Sequence, residues 1–372
     1  MKEGWEYRKF ESCLLKVPKQ VQVKSKEYKT EGKFPIVSQE AELISGYWDD
    51  ETIVYSHKDP VVIFGDHTKN IKYIDFDFVV GADGTHILST KNDINPKFFY
   101  YVLKSIKLRE LGYARHYKLL KEKYIPVPKL SEQQSIVDYL DSAFAKIDAM
   151  KANAEKALNE AKALFQVSLK EMLEPKEGWE EKALKDFAID MYRGSGVKRD
   201  QVTEDGIPCV RYGEIYTKYN YHFNECDSHT LAEYVNSPKY FEYGDILFAI
   251  TGESVEDIGK SIAYTGKDKC IAGGDMVVMK HSYEPRYISY ALSTPAAIKQ
   301  KGRGKTKLKV VHTNIPSLKE IIIPIAPIGD QKHIADTLDS LKSKVDRLQE
   351  NYDKISQECD ALKQAILRQV FE

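Results

Sequence analysis

"IPVPKLSEQQSIVDYLDSAFAKIDAMKANAEKALNEAKALFQVSLKEML" occupies residues 125–173, and "IPIAPIGDQKHIADTLDSLKSKVDRLQENYDKISQECDALKQAILRQVF" occupies residues 323–371. The two stretches align without a gap. Ile125-Pro126 matches Ile323-Pro324, Gln133 matches Gln331, Ile136 matches Ile334, Leu140-Asp141-Ser142 matches Leu338-Asp339-Ser340, and Asp148 matches Asp346. Within the second stretch Ile334, Leu338, Leu341, Val345, Leu348, Tyr352, Ile355, Cys359, Leu362 and Ile366 recur at steps of four and three. Ile136, Leu140, Ala143, Ile147, Met150, Ala154, Ala157, Ala161 and Leu164 give the same spacing in the first. A stripe sustained over this length predicts a coiled-coil helix in each copy. At 1.5 Å per residue each helix spans roughly 64 Å. A lone helix cannot bury such a stripe. Packing of each helix on its own domain is one solution; pairing of the two with each other, small Ala side chains facing Leu, Ile and Tyr, is the better one. Like units in one chain tend to pair about a pseudo-twofold axis, which makes the helices antiparallel, sets the globular regions at opposite ends and returns the chain's end to its beginning.

Working outward, "KEGWE" stands at 2–6 and again at 176–180. Between the ends of each repeat there are weaker echoes: "FPIV" (34–37) and "IPCV" (207–210), "DPVVIFGD" (59–66) and "GDILFAIT" (244–251), "NPKFFYYVL" (95–103) and "EPRYISYAL" (284–292). The chain is therefore two copies of one unit. The expected organisation is a globular domain at 1–130, a helix at 131–175, a second globular domain at 176–322 and a second helix at 323–372. "DPVVIF", "FDFVV", "DILFAI", "MVVM" and "EIIIPI" read as short strands bounded by Gly, Asp and Pro, whereas "PKFFYYVLKSIKLREL" and "PRYISYALSTPAAIKQ" read as helices. The fold class is α+β: two repeated mixed α/β domains separated by a pair of long antiparallel helices.

The 372 residues hold 42% apolar and 30% charged side chains, a soluble globular composition, and no apolar run long enough for a membrane span or a secretory signal. Five scattered cysteines without a C-x-x-C point to a reducing, cytoplasmic setting. Net charge is −1, so any attraction to nucleic acid must be local.

The chemistry of an enzyme is missing. "GESVEDIGKS" (252–261) has six residues between Gly252 and Gly259 where a phosphate loop needs four, and in "GRGKT" Lys299 stands where the first glycine belongs. "NPKFF" is not the Asn/Asp-Pro-Pro-aromatic loop of a methyltransferase. His222, Cys226 and His229 match no standard metal spacing, and "EYK" (27–29) has a nuclease-like shape that a Lys- and Glu-rich chain produces by chance.

Local charge is more informative. "KQKGRGKTKLK" (299–309) carries Lys299, Lys301, Arg303, Lys305, Lys307 and Lys309 with no acid, and Thr306 lies among them. In an extended chain the alternating charges share one face. The matching stretch of the first unit (104–123) carries Arg115, His116, Lys118 and Lys121 among other bases against two glutamates. A lysine-rich edge strand can serve only solubility, but recurrence at the same place in both units points to phosphate contact. Arg193, Lys198 and Arg199 in "MYRGSGVKR", and Arg211 and Tyr212 in "IPCVRYGEI", are further candidates.

Two variable units that each open near "GWE" and close with "IPVPKLSEQQSIVDYLD" or "IPIAPIGDQKHIADTLD" closely resemble the specificity subunit of type I restriction–modification systems, over the whole chain. The resemblance implies two target recognition domains, each reading one half of a split double-stranded DNA site, and helices acting as a spacer. It implies two modification subunits that hold S-adenosylmethionine and methylate adenine, and ATP- and magnesium-dependent restriction subunits that join them. No cofactor is then expected on this chain. "PKLSEQ" and "PIGDQ" depart mildly from the family's junction, and "GGD" (273–275) stands where many members have Asn-Gln. The competing reading is a coiled-coil interaction or regulatory protein that reads no sequence.

Overall fold

The structure is a computed structural model that describes residues 2–110, 112, 115–252, 254–255, 257–303 and 311–372. The chain divides into two compact units, Met1–Glu155 with Asn351–Glu372, and Lys156–Glu350.

The repeated pentapeptide explains how each globular domain closes. Gly4 has φ +82° and Gly178 φ +83°, a left-handed turn that disfavours a side chain. After this turn Glu6–Lys9 pairs antiparallel with Tyr124–Val127, and Glu180–Ala183 pairs in the same way with Ile322–Ile325. The first strand of each domain thus clasps the last, just before the long helix begins. The tryptophan seals the clasp. Trp5 lies edge-to-face on Phe98 at 6.5 Å and Trp179 on Tyr287 at 6.4 Å, at aligned positions of the repeat.

Besides its clasp, each domain has two larger sheets among the described residues, and the sequence echoes fall on equivalent strands. Phe34–Val37 runs parallel to Phe78–Gly81 in the first domain, and Ile207–Val210 runs parallel to Cys270–Ala272 in the second. In the other sheet Val61–Gly65 lies between Ile71–Ile74 and Thr85–Leu88, as Ile246–Ala249 lies between Ser261–Tyr264 and Met276–Lys280. The central strands Val61–Gly65 and Ile246–Ala249 are buried on both sides, which is why they read as continuous apolar runs.

The helical expectations needed trimming. "PKFFYYVLKSIKLREL" is helical only over Pro96–Ser105. "PRYISYALSTPAAIKQ" is two helices, Pro285–Leu292 and Pro295–Lys301, because Pro295 cannot continue the first and instead opens the second, capped by the Thr294 side chain. Lys299 and Lys301 therefore sit on a helix, not on the extended strand that their alternation suggested.

The long helices are Leu130–Met172 and Ile328–Phe371, of 43 and 44 residues. They pair antiparallel. In the first unit Lys363 bonds Asp148, Lys151 Nζ lies 3.8 Å from Asp360, and the Cys359 thiol reaches the Ile147 carbonyl at 3.8 Å. In the second unit Lys162 donates to Gln349 at 2.7 Å. Partners climb one helix as they descend the other. The stripe itself differs from expectation. Leu140, Ile147, Ala154 and Ala161 face inward, but Met150, Ala157 and Leu164 face solvent, and Val137, Phe144, Leu158 and Phe165 take the alternate places. The spacing admitted two seams sharing every second position, and the one with larger apolar side chains is buried. The last turns of Ile328–Phe371 shift likewise: Leu362 is exposed while Leu367 and Phe371 are buried.

Each unit's core joins the start of one long helix to the end of the other. Val137 and Leu140 pack with Leu367 and Phe371 in the first; Ile334 and Leu338 pack with Phe165, Leu169 and Leu173 in the second. Lys2 bonds the Gln369 and Val370 carbonyls, so the chain's end does return to its beginning. The matched glutamines Gln133 and Gln331 are both fully buried. Gln133 accepts the Asn95 N–H at 2.8 Å and donates to the Asp93 and Pro128 carbonyls, and Gln331 accepts the Glu284 N–H at 3.0 Å and donates to the Ala326 carbonyl. Each fastens a long helix to the short helix that follows it in space.

Candidate nucleic-acid interface

In each domain one turn carries the chain from one sheet to the other: residues 82–84 between Phe78–Gly81 and Thr85–Leu88, and Gly273-Gly274-Asp275 between Cys270–Ala272 and Met276–Lys280. The basic loops gather on these turns. In the second domain a side chain at Gly194 would place its Cβ 2.0 Å from the Gly273 carbonyl, so "RGSG" crosses "GGD" at backbone contact. Arg193 Nε donates to the Gly274 carbonyl at 2.7 Å, and its Nη2 lies 2.9 Å from Asp275 Oδ1. On the other side the Gly273 N–H donates to the Val210 carbonyl at 2.8 Å, which places Arg211 and Tyr212 beside the same turn. Sequence reading treated Arg193 and Arg211 as separate loop residues; the fold brings them together.

Arg211 is half-buried, Nε 3.8 Å from Glu214 Oε2, and Tyr212 is exposed at the first turn of the short helix Tyr212–Thr217. Lys198 and Arg199 are exposed beyond the "RGSG" crossing. Arg303 is exposed just past Pro295–Lys301, its N–H bonded to the Gln300 carbonyl. Lys305, Thr306, Lys307 and Lys309 lie outside the described residues. The chain resumes at Val311–His312, which pairs with Thr251–Gly252, and the neighbouring Ile250 N–H bonds the Asp275 carbonyl at 3.1 Å.

In the first domain a groove of about 970 Å³ flanks the turn. Lys19, Gln20 and Gln22 line one wall; His86, Arg115 and Tyr117 line the other. His86 and Tyr117 stack at 4.0 Å with planes 9° apart. Arg115 is 79% exposed, 3.8 Å from the buried Asp66 carboxylate. Lys118 is exposed, and Lys121 is partnered by Glu11 at 2.8 Å. His116 is a correction: its side chain is 1% exposed and its Nδ1 lies 3.0 Å from the Asp66 carbonyl, so it builds the loop that presents Arg115 and does not face outward.

Sequence reading missed Lys19, Gln20 and Gln22. Their segment links Leu14, bridged to Thr90, with Gln22–Val23, which pairs with Phe78–Gly81. "RGSG" makes the same crossing in the second domain, from Asp190–Arg193 to the Ser195 N–H on the Ala272 carbonyl. The available signal was that "KVPKQVQVK" and "RGSGVKR" are each the first basic loop after the clasp strand.

Among the described residues no group of three or more His, Cys, Asp or Glu is placed to hold a metal. His222 instead bonds Asp339 at 2.8 Å, and the Cys226 thiol faces Cys270 at 3.2 Å.

A duplicated recognition scaffold, each copy with a cationic face at its sheet-to-sheet turn, is the class that this fold and site define. The chain belongs to the family of type I restriction modification DNA specificity domains, whose sequence model matches residues 2–160 and 176–357. That family supplies DNA recognition and not catalysis. The chain is 28% identical over 174 residues to the specificity subunit of the Escherichia coli type I restriction enzyme EcoR124I/EcoR124II, a stretch covering 43% of this chain and 42% of that subunit, so less than half of that relative is spanned. In fold it is similar to a chain solved in work on assembly and conformational transition of the type I R-M system, with TM-score 0.70, 17% identity, and 100% of this chain and 98% of that one covered. It is also similar to the HsdS subunit of Thermoanaerobacter tengcongensis, with TM-score 0.54, 18% identity, and coverages of 100% and 97%. Among the described residues no helix is long and apolar enough to cross a membrane.

Proposed function

We propose that this chain is the DNA-reading subunit of a type I restriction–modification complex. Each recognition domain reads one half of a bipartite duplex site, and the long helices set the distance between the halves. Two modification subunits that carry S-adenosylmethionine and methylate adenine assemble on the chain, and restriction subunits using ATP and magnesium join them. The observation that carries this reading is the duplication itself. The clasp, the buried glutamine and the crossover turn recur, while the loops around the turn differ: a groove with Gln20, Gln22 and Arg115 in one domain, Arg193, Arg211 and Tyr212 in the other. A scaffold that repeats while its cationic loops diverge suits two unlike half-sites. Exposed Lys19, Lys118, Lys198 and Arg199 contact phosphates, and the residues at the turns face base edges.

The test is a mobility-shift assay of the chain with its modification subunits, with methylome sequencing of the host with and without the gene to supply the motif. Tight binding to one bipartite duplex at physiological salt supports the reading. No sequence preference would favour a coiled-coil regulator instead.

A further inference from the structure

Within the unit Lys156–Glu350 a cavity of about 290 Å³ lies beside the second domain's sheet, near the lower end of the size range of small-ligand sites, about 300–1,000 Å³. Lys301, the last residue of Pro295–Lys301, is 6% exposed, and its Nζ donates to Ser261 Oγ at 2.9 Å. Lys260 also lines the cavity, donating to the Tyr219 carbonyl at 3.0 Å. Among the described residues neither ammonium has a carboxylate in ion-pair contact. A third cation, Lys342 from the long helix, is bonded to Asp346. Asp257, the one acid on the wall among the described residues, is engaged by Ser254 at 2.7 Å. Asn220 and Ser261 add neutral donors.

A buried ammonium without a counter-charge is unfavourable, and the protein can relieve it only by losing the proton or by admitting an anion. Burial pushes Lys301 down to about 7 and lowers Lys260 as well. Near neutral pH both can be cations, and the wall around them is rich in donors and poor in acceptors. A carboxylate or halide would satisfy part of this donor set; the tetrahedral oxygens of a phosphate satisfy more of it at once. We propose that this cavity binds a phosphate group, with Lys301 and Lys260 as its counter-charges and Ser261 and Asn220 as hydrogen-bond donors. The phosphate belongs either to a DNA backbone or to a free phosphorylated ligand.

The test is thermal unfolding of the full chain at pH 6.5 in inorganic phosphate against chloride of equal ionic strength. Phosphate should raise the melting temperature saturably in the wild type, and the rise should vanish in Lys301→Met and shrink in Lys260→Met. Lys301→Met removes a buried charge and so retains the fold. Equal effects of phosphate and chloride, or an undiminished phosphate effect in Lys301→Met, would overturn the proposal. A salt titration of duplex binding separates the two sources. If a backbone phosphate fills the cavity, Lys301→Met lowers the slope of log affinity against log salt by about 0.9; if the ligand is free, the slope is unchanged while the phosphate response is still lost.

Discussion

Tyr290 donates its phenol to Asp339 at 2.6 Å, tying the short helix Pro285–Leu292 to the long helix Ile328–Phe371. Tyr101 makes the same bond to Asp141 in the first unit, and Lys97 and Arg286 occupy matching places on the two carboxylates. Tyr-to-aspartate bonds at the same position of both repeats make this a built joint. A hydrogen bond to a charged acceptor contributes about 1.5–3 kcal/mol. Tyr290→Phe should therefore lower stability by about 1.5 kcal/mol, since Arg286 and His222 still hold the carboxylate. Denaturant unfolding monitored in wild type and variant checks this, with an unchanged m-value expected.

The same carboxylate gives an acid-sensitive contribution. Burial alone would raise Asp339, but the His222, Tyr290 and Arg286 donors outweigh it and hold the group at about 2. Its folded value is thus below the unfolded value of about 3.9. Stability from this joint is complete above about pH 4 and is lost as pH falls toward 2. Asp339→Asn should be less stable than wild type at pH 6, and the gap should narrow between pH 4 and 2. A gap that stays constant over that window would show that the joint does not titrate.

Much of this architecture was legible because it repeats. The junction "IPVPKLSEQQ"/"IPIAPIGDQK" and the clasp "KEGWE" are short, local and present twice, so chance is excluded by the second copy. The central strands Val61–Gly65 and Ile246–Ala249 were legible as apolar runs because both of their faces are buried. The helical seam was only half legible: period alone cannot separate Val137 from Ile136 when both flank the shared position Leu140. The interface was least legible. Arg193 and Arg211 are eighteen positions apart, and only the Gly194–Gly273 crossing puts them on one turn. His116 carried the right charge type but the wrong burial, which no local pattern announces.

Lys301 predicts a second pH dependence of opposite sense. Burial holds its folded value at about 7, below the unfolded value of about 10.4. The native state therefore binds fewer protons than the unfolded state between those limits, and stability rises with pH there. Wild type should gain on Lys301→Met by up to about 1.4 kcal/mol per pH unit between about pH 7 and 10. Paired denaturant titrations of the two proteins at pH 6, 8 and 9.5 measure the difference. A constant difference would mean the amine is solvated.

The clasp sets the rule for exchanging domains. Glu180–Ala183 and Ile322–Ile325 pair residue by residue, Glu180 with Ile325 and Ala183 with Ile322. An exchange of 176–325 with a relative keeps both strands from one parent; an exchange ending at 321 splits them. The first chimera should fold and change one half of the methylated motif while the other half persists. The split chimera should give less soluble protein. Methylome sequencing and soluble yield read the two outcomes, and a change in both half-sites would refute independent domains.

The basic segment offers the sharpest test of phosphate contact. Lys299 and Lys301 stand on the helix Pro295–Lys301 and so do not share an extended basic face with the residues that follow. Arg303 is exposed, and Val311 pairs with Gly252 near the crossover turn that holds Arg193. Lys305, Lys307 and Lys309 lie between these positions in sequence. Phosphate contacts add affinity without sequence information, each contributing about 0.9 to the slope of log affinity against log salt. Changing all three to Ala should weaken specific and random duplexes about equally and lower the slope by nearly 3. Arg303→Ala should behave differently if its guanidinium reaches a guanine edge. It should then lose about 1–3 kcal/mol on the specific site alone and leave the random duplex unchanged. A salt titration of both variants on both duplexes decides the matter. An unchanged slope in the triple variant would assign these lysines to solubility, leaving Lys198 and Arg199 as the second domain's backbone contacts.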